Sequence, residues 1–155
     1  MAKMPFNIEE ICEKFSINGN FTGYEIINNG HINSTYNLIF EDNGKPMKYV
    51  LQKINTVVFK KPDELMSNIV AVTKHIAKKN EERKIDDAER RTLHFLPCTD
   101  GKYYYIDSEN NCWRLYIFVD DVYTCNTIDS EEVFNNAGVA FGEFQNILDG
   151  FDAYS

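Results

Sequence analysis

Residues 21–55 read FTGYEIINNGHINSTYNLIFEDNGKPMKYVLQKIN, and this stretch decides the fold. Three β-rich runs, 21–28, 35–41 and 48–55, are separated by two polar turns that carry Gly30 and Gly44. Runs of this length with apolar alternation, bounded by Asn and Gly, read as strands joined by tight connections. Asn43-Gly44 is the stronger of the two hairpin signals, because Asn-Gly suits the paired positive φ values of a type I′ turn. Three consecutive antiparallel strands are therefore expected.

On the N-terminal side, Ile8, Ile11, Cys12 and Phe15 recur at helical spacing, which predicts a short amphipathic helix over about 7–15 that Asn18-Gly19-Asn20 ends. On the C-terminal side, Pro62 suits the first turn of a helix whose inner face is Leu65, Ile69, Val72 and Ile76, fading near Asn80. Residues 80–89 are charged and polar and read as a connection. Strand-like runs follow at 92–98, 102–107 and 113–119, the last two joined as a hairpin through 107–111. After Asp120-Asp121, Val133, Ala137, Ala140, Phe141, Phe144 and Leu148 line a final helix ending near Gly150. Consecutive hairpins pair locally, so the expected class is α+β, with one mainly antiparallel five-stranded sheet and one covering helix.

Composition limits the function. A length of 155 residues suits one domain with a real core, and 43% hydrophobic with 14% aromatic residues excludes a disordered chain. The formal net charge of −8 argues against nucleic acid as a partner, because phosphate neutralisation needs a clustered basic surface. The one basic cluster, Lys74, Lys78, Lys79, Arg83 and Lys84, is interrupted by Glu81 and Glu82 and reads as a solvated helix end. Cys12, Cys98, Cys112 and Cys125 lie far apart without a C-x-x-C pair, which suits buried free thiols in a reducing cytoplasm. No run approaches the ~20 apolar residues of a membrane span, and the N-terminus has no signal-peptide pattern. A soluble, cytoplasmic protein that binds neither membrane nor nucleic acid is expected.

Three segments carry candidate chemistry. The polar run Asn28-Asn29-Gly30-His31-Ile32-Asn33-Ser34-Thr35 either presents backbone N–H and hydroxyl donors to phosphate oxygens or is an ordinary turn whose side chains bond their own backbone. In 49–55, Lys53 either snorkels to solvent or meets an anion in a cleft, and Gln52 on the other face competes for the inward position. Kinase-type folds take their phosphate-holding lysine from the third strand and pair it with a carboxylate on the next helix. Here that helix offers Asp63 and Glu64, which equally suit its N-terminal dipole. The apolar run 112–119 passes into Asp120-Asp121. It reads either as a hinge against which adenine stacks near Phe118 and Val119, or as a core strand reaching the surface. His31, His75 and His94 are dispersed, with no nucleophile arrangement and no metal motif.

Taken in order, Gly30-His31-Ile32-Asn33-Ser34-Thr35-Tyr36, Tyr49-Val50-Leu51-Gln52-Lys53-Ile54-Asn55, Val58-Phe59-Lys60, Leu65-Met66-Ser67-Asn68-Ile69, Trp113-Arg114 and Ala140-Phe141-Gly142-Glu143-Phe144-Gln145 resemble the N-terminal part of the aminoglycoside phosphotransferase/choline kinase superfamily. Within it, the N-acetylhexosamine 1-kinase group is the nearest likeness, over about residues 20–149. The resemblance implies a protein-kinase-like N-lobe over 1–119, with a hinge and the first helix of a second lobe over 120–155. It implies ATP as the nucleotide, held by Gly30, His31, Asn33, Ser34 and Thr35, by Gln52 or Lys53 on the strand, by Glu64 or Asn68 on the helix, and by Phe118 and Val119 at the hinge. It also implies Mg²⁺ and a catalytic His-x-Asp loop carried by a C-lobe, and no such loop occurs in these 155 residues. The chain is thus expected to be the ATP-binding, by itself inactive piece of a sugar kinase. Homoserine, choline and aminoglycoside kinases are the alternatives within the superfamily.

From a different class, a non-catalytic α+β interaction module would use the apolar face of the final helix (Val133, Phe141, Phe144, Leu148) as a protein interface. The kinase reading expects the same face to meet the second lobe or a second copy of the chain. The 155-residue chain is expected to show no kinase turnover; ATP-dependent phosphorylation of an N-acetylhexosamine, followed by coupled NADH loss, is the observation that would overturn this.

Overall fold

Two consecutive residues with positive φ, Asn43 at 51° and Gly44 at 77°, turn the chain between β2 (Ser34–Asp42) and β3 (Lys45–Ile54). The pairing runs without a break from Asp42↔Lys45 to Ser34↔Lys53, so the expected two-residue hairpin is present. β1 (Asn20–Ile27) pairs with the other edge of β2, and β5 (Cys112–Ile117) with the other edge of β3. With β4 (Tyr105–Ile106), the order is β1-β2-β3-β5-β4, all antiparallel. The computed structural model describes residues 6–27, 32–122, 127–128 and 130–152, and over these the class is α+β, as expected. The described chain divides into two compact units. One holds the residues through Val70 together with Leu93–Phe118; the other holds Ala71–Thr92 and the residues from Val119 onward.

In the first unit, strand alternation sorts side chains onto two faces of the sheet. Tyr36, Leu38, Phe40, Tyr49, Leu51, Trp113 and Leu115 share one face and form the larger core with Ile8, Ile11, Cys12 and Phe15. The helix supplying the first three of these, α1 (Ile8–Cys12), has five residues, too few to persist alone. Its Asn7 cap, accepting from the Glu9 N–H, and the burial of its apolar side chains hold it. Leu38, Leu51, Trp113 and Leu115 are fully buried. At about 1.5–3 kcal/mol for each large apolar side chain, this cluster outweighs any single polar contact in the unit.

The opposite face is covered by α2 (Pro62–Glu82), through Met66 and Val70 packed on Ile54 and Cys112. Of the expected inner stripe, Ile76 is buried, while Leu65 and Ile69 flank this contact half-buried and Met66 and Val70 take its centre. Residues at i and i+1 border the same contact line, so periodicity alone does not decide which row faces inward. The helix also runs two residues beyond Asn80, and the 3₁₀ turn Ala88–Arg90 lies in the expected polar connection.

The run 92–98 is not a continuous strand. The Leu96 N–H bonds to the Leu115 carbonyl and the Ile117 N–H to the His94 carbonyl, while Ser16 donates to the Pro97 carbonyl. Pro97 has no N–H to extend a ladder, and the chain instead bridges β5 at Phe95 and the end of α1 at Cys98. In the second unit, α3 (Glu131–Ile147) begins at Ser130, whose Oγ accepts from the Val133 N–H. His75, expected on a helix surface, is half-buried: its Nε2 lies 2.9 Å from the Ile147 carbonyl and its ring 5.2 Å from that of Phe151. Among the described residues no helix is long and apolar enough to cross a membrane. Cys12, Cys98 and Cys112 are buried free thiols, and burial pushes them up to about 12, 12 and 11.

The β4–β5 turn is fastened to the core by one carboxylate. Asp107 accepts from the backbone N–H groups of Glu109 and Asn111, from Asn111 Nδ2, and from Trp113 Nε1 at 2.9 Å. Burial alone would raise its pKa, but the bonds from Trp113, Asn111 and Glu109 outweigh that and hold it below the ordinary value. A carboxylate lowered in the folded state contributes stability above its unfolded pKa of ~4, lost as pH falls through the folded value. Asp107→Ala is therefore expected to cost about 2 kcal/mol at neutral pH and to flatten the acid limb of the stability curve, read by urea unfolding between pH 2 and 7.

Candidate functional site

Strand alternation settles which of Gln52 and Lys53 faces α2. Gln52 lies opposite Arg114 and Thr35, on the face of the sheet that carries Ile54 and Cys112 against α2. Lys53 lies opposite Ser34 and Trp113 on the other face, where its Nζ stands 5.2 Å from the centroid of the Phe6 ring. The two residues therefore occupy different environments, Gln52 on the α2 face and Lys53 on the α1 face.

Gln52 is the centre of a polar relay across three strands. Its Nε2 donates to Thr35 Oγ1 at 3.1 Å, and its Oε1 accepts from Arg114 Nε at 3.0 Å and Nη2 at 2.8 Å. The Arg114 guanidinium lies 5.7 Å from the centroid of the Phe95 ring, with Nη1 3.9 Å from Met66 Sδ. Burial lowers its pKa, with Tyr116 and Cys112 opposing that shift. None of the ion pairs among the described residues includes Arg114, so its compensation is a neutral carboxamide, a ring face and a thioether. On the same face, Asn37 Oδ1 is buried without a hydrogen-bond partner.

The other expected contacts distribute as follows. Gly30 and His31 lie outside the described residues. Asn33 Oδ1 accepts from the Asn55 N–H at 2.9 Å, tying the start of β2 to the end of β3. Ser34 is exposed at the edge position opposite Lys53. Glu64 is exposed and bonded to Lys61 Nζ at 2.7 Å, and Asn68 is exposed on α2. The structure does not bring Glu64 or Asn68 to Gln52 or Lys53, and the α2 side chain that reaches the relay is Met66. Phe118 donates its N–H to the Lys48 carbonyl at 3.1 Å, and its ring lies 5.4 Å from Lys48 Nζ. That donor is thus committed to the sheet. Val119 is half-buried and begins the chain's return to the second unit.

Arg114 is the residue of this face that the sequence reading passed over. The signal was present, since Arg114 interrupts the apolar run Trp113-Arg114-Leu115 much as Lys53 interrupts its own strand. A groove of about 1040 Å³ opens on the α1 side, edged by Glu9, Glu13, Asp107 and Glu109 with Phe6 and Tyr24 on its walls. Its acids outnumber its lysine, Lys14, which disfavours a polyphosphate, and the groove and the cationic relay lie on opposite faces of the sheet. Among the described residues no group of three His, Cys, Asp or Glu side chains converges to hold a metal ion. No protein-family model matches the chain.

Replacing Gln52 with Leu keeps the volume and removes both the acceptor of Arg114 and the donor to Thr35. Leaving a half-buried guanidinium unbonded is expected to cost about 2 kcal/mol, measured by urea unfolding, with the far-UV CD spectrum unchanged.

Proposed function

We propose that the chain carries the nucleotide-binding lobe of a kinase-like phosphotransferase that transfers phosphate from ATP to an alcohol group of a small molecule in the cytoplasm. The observation that carries this reading is the placement of α2 between β3 and the β4–β5 pair, covering the sheet face on which Thr35, Gln52 and Arg114 bond to one another. A kinase-type N-lobe needs a helix on an antiparallel sheet and a fixed cation at mid-strand facing that helix, because the protein's part in phosphoryl transfer is positioning and charge stabilisation. The order of motifs along the chain favours an N-acetylhexosamine as acceptor, with homoserine, choline and aminoglycosides as the nearby alternatives. Mg²⁺ would arrive with the nucleotide; among the described residues no group of three His, Cys, Asp or Glu side chains could hold it.

A second reading is supported by α3, which has no buried residue and exposes Phe134 (65%) and Phe141 (72%). Aromatic exposure on that scale suits a protein-docking helix in a non-catalytic module or a self-associating chain.

Thermal unfolding with and without MgATP separates the two readings. A ligand of the folded state present at ten times its Kd adds about 1.4 kcal/mol, or roughly 3–5 °C in Tm for a chain of this size. A rise with MgATP that GTP and ADP reproduce only in part is the expected result. An unchanged Tm at millimolar MgATP sinks the nucleotide reading and leaves the docking module.

A further inference from the structure

Among the described residues Arg114 has no counter-charge in an ion pair. The guanidinium has five N–H donors in a rigid fork, and the Gln52 oxygen takes the edge formed by Nε and Nη2. Of the donors left on Nη1 and Nη2, only Nη1 has a contact among the described residues, the Met66 sulfur at 3.9 Å, a weak acceptor at long range. Such a cation is costly to half-bury on neutral partners alone, and the balance is restored when an anion joins it. Its setting is also built to hold a fork in one orientation. Gln52 is itself anchored by Thr35, Phe95 lies against the guanidinium, and the Phe95 ring packs 5.4 Å from that of Tyr116.

We infer that Arg114 is the phosphate anchor of this face, its free Nη1 and Nη2 donors taking a pair of phosphate oxygens from the nucleotide while Gln52 orients the fork. This deepens the nucleotide reading of the preceding subsection and rests on it. Arginine meets phosphate in a bidentate manner, whereas lysine acts as a point charge. A strand glutamine where a lysine is expected then has a physical reason, because a second cation at position 52 would repel Arg114 across a separation of about 3 Å. Lys53, on the opposite face beside Phe6, takes no part.

Isothermal titration of the full chain with ATP, tripolyphosphate and adenosine, for the wild type and Arg114→Met, tests the inference. Methionine fills the space against Met66 and Phe95 and removes the charge. The expected result is a loss of at least tenfold in affinity for ATP and tripolyphosphate, with adenosine binding unchanged. Equal ATP affinity in both proteins overturns the anchor and leaves the nucleotide reading standing. Tripolyphosphate binding that depends on Arg114, with ATP bound no more tightly than tripolyphosphate, keeps the anchor and removes the nucleotide reading. Absence of binding by either phosphate ligand to the wild type overturns both. Should Arg114→Met fail to fold, the side-chain ¹H–¹⁵N spectrum of the wild type decides, with the Arg114 Nε–H resonance assigned from Arg114→Lys. A shift on adding tripolyphosphate is expected, and a static resonance at saturating ATP overturns the anchor.

Discussion

β3 is hydrogen-bonded along both edges, to β2 over its whole length and to β5 from Tyr49 to Ile54. Its register is therefore fixed twice. A slip of one residue would move Leu51 out of the larger core and drive Gln52 and Val50 into it, because successive side chains alternate between faces. The buried partners on either side, Tyr36 and Leu38 on β2 and Trp113 and Leu115 on β5, make that slip costly by several large apolar side chains at once. The same constraint that builds the core thus sends Gln52 to the α2 face and Lys53 to the α1 face. The position of the polar relay is a consequence of hydrophobic register.

Much of this was legible from local sequence where the physics is local. Asn43-Gly44 adopts the two positive φ values that its residue types favour, and Pro62 opens α2 where its fixed φ and missing N–H are harmless. Where the deciding term is a tertiary contact, the reading missed. The run 92–98 has strand composition, yet Pro97, whose carbonyl accepts from the Ser16 N–H, breaks it into bridges. The inner row of α2 is Met66 and Val70 because Cys112 and Ile54 lie beneath them, a fact no periodicity in α2 contains.

The candidate site was half legible for the same reason. That either Gln52 or Lys53 faces inward follows from alternation, but which of the two depends on the register against a strand sixty residues away. Arg114 is hydrogen-bonded by Gln52, its cross-strand partner, and a cross-strand pair is invisible to a one-dimensional pattern. Glu64, for which the sequence left two readings open, shows the converse dependence. An acid in the first turn of the helix after the third strand fits the kinase pattern, yet its carboxylate is held by Lys61 three residues earlier. Both side chains of that pair are largely exposed, so its energy is small, and no buried geometry directs Glu64 toward the sheet.

Charge gives the arrangement its selectivity. The chain is acidic, with a formal net charge of −8, and the acids that edge the α1-side groove repel polyanions on that face of the sheet. On the α2 face the relay sets one guanidinium among Met66, Phe95 and Tyr116, where water is partly excluded and the field of a single charge is screened less than at the surface. The acids and the half-buried guanidinium thus lie on opposite faces of the sheet, within a chain that is acidic as a whole. Lys48 and Lys53 also project from β3, and each lies beside an aromatic ring, Phe118 and Phe6 respectively. Local desolvation sets Arg114 apart from these lysines, since burial lowers its pKa.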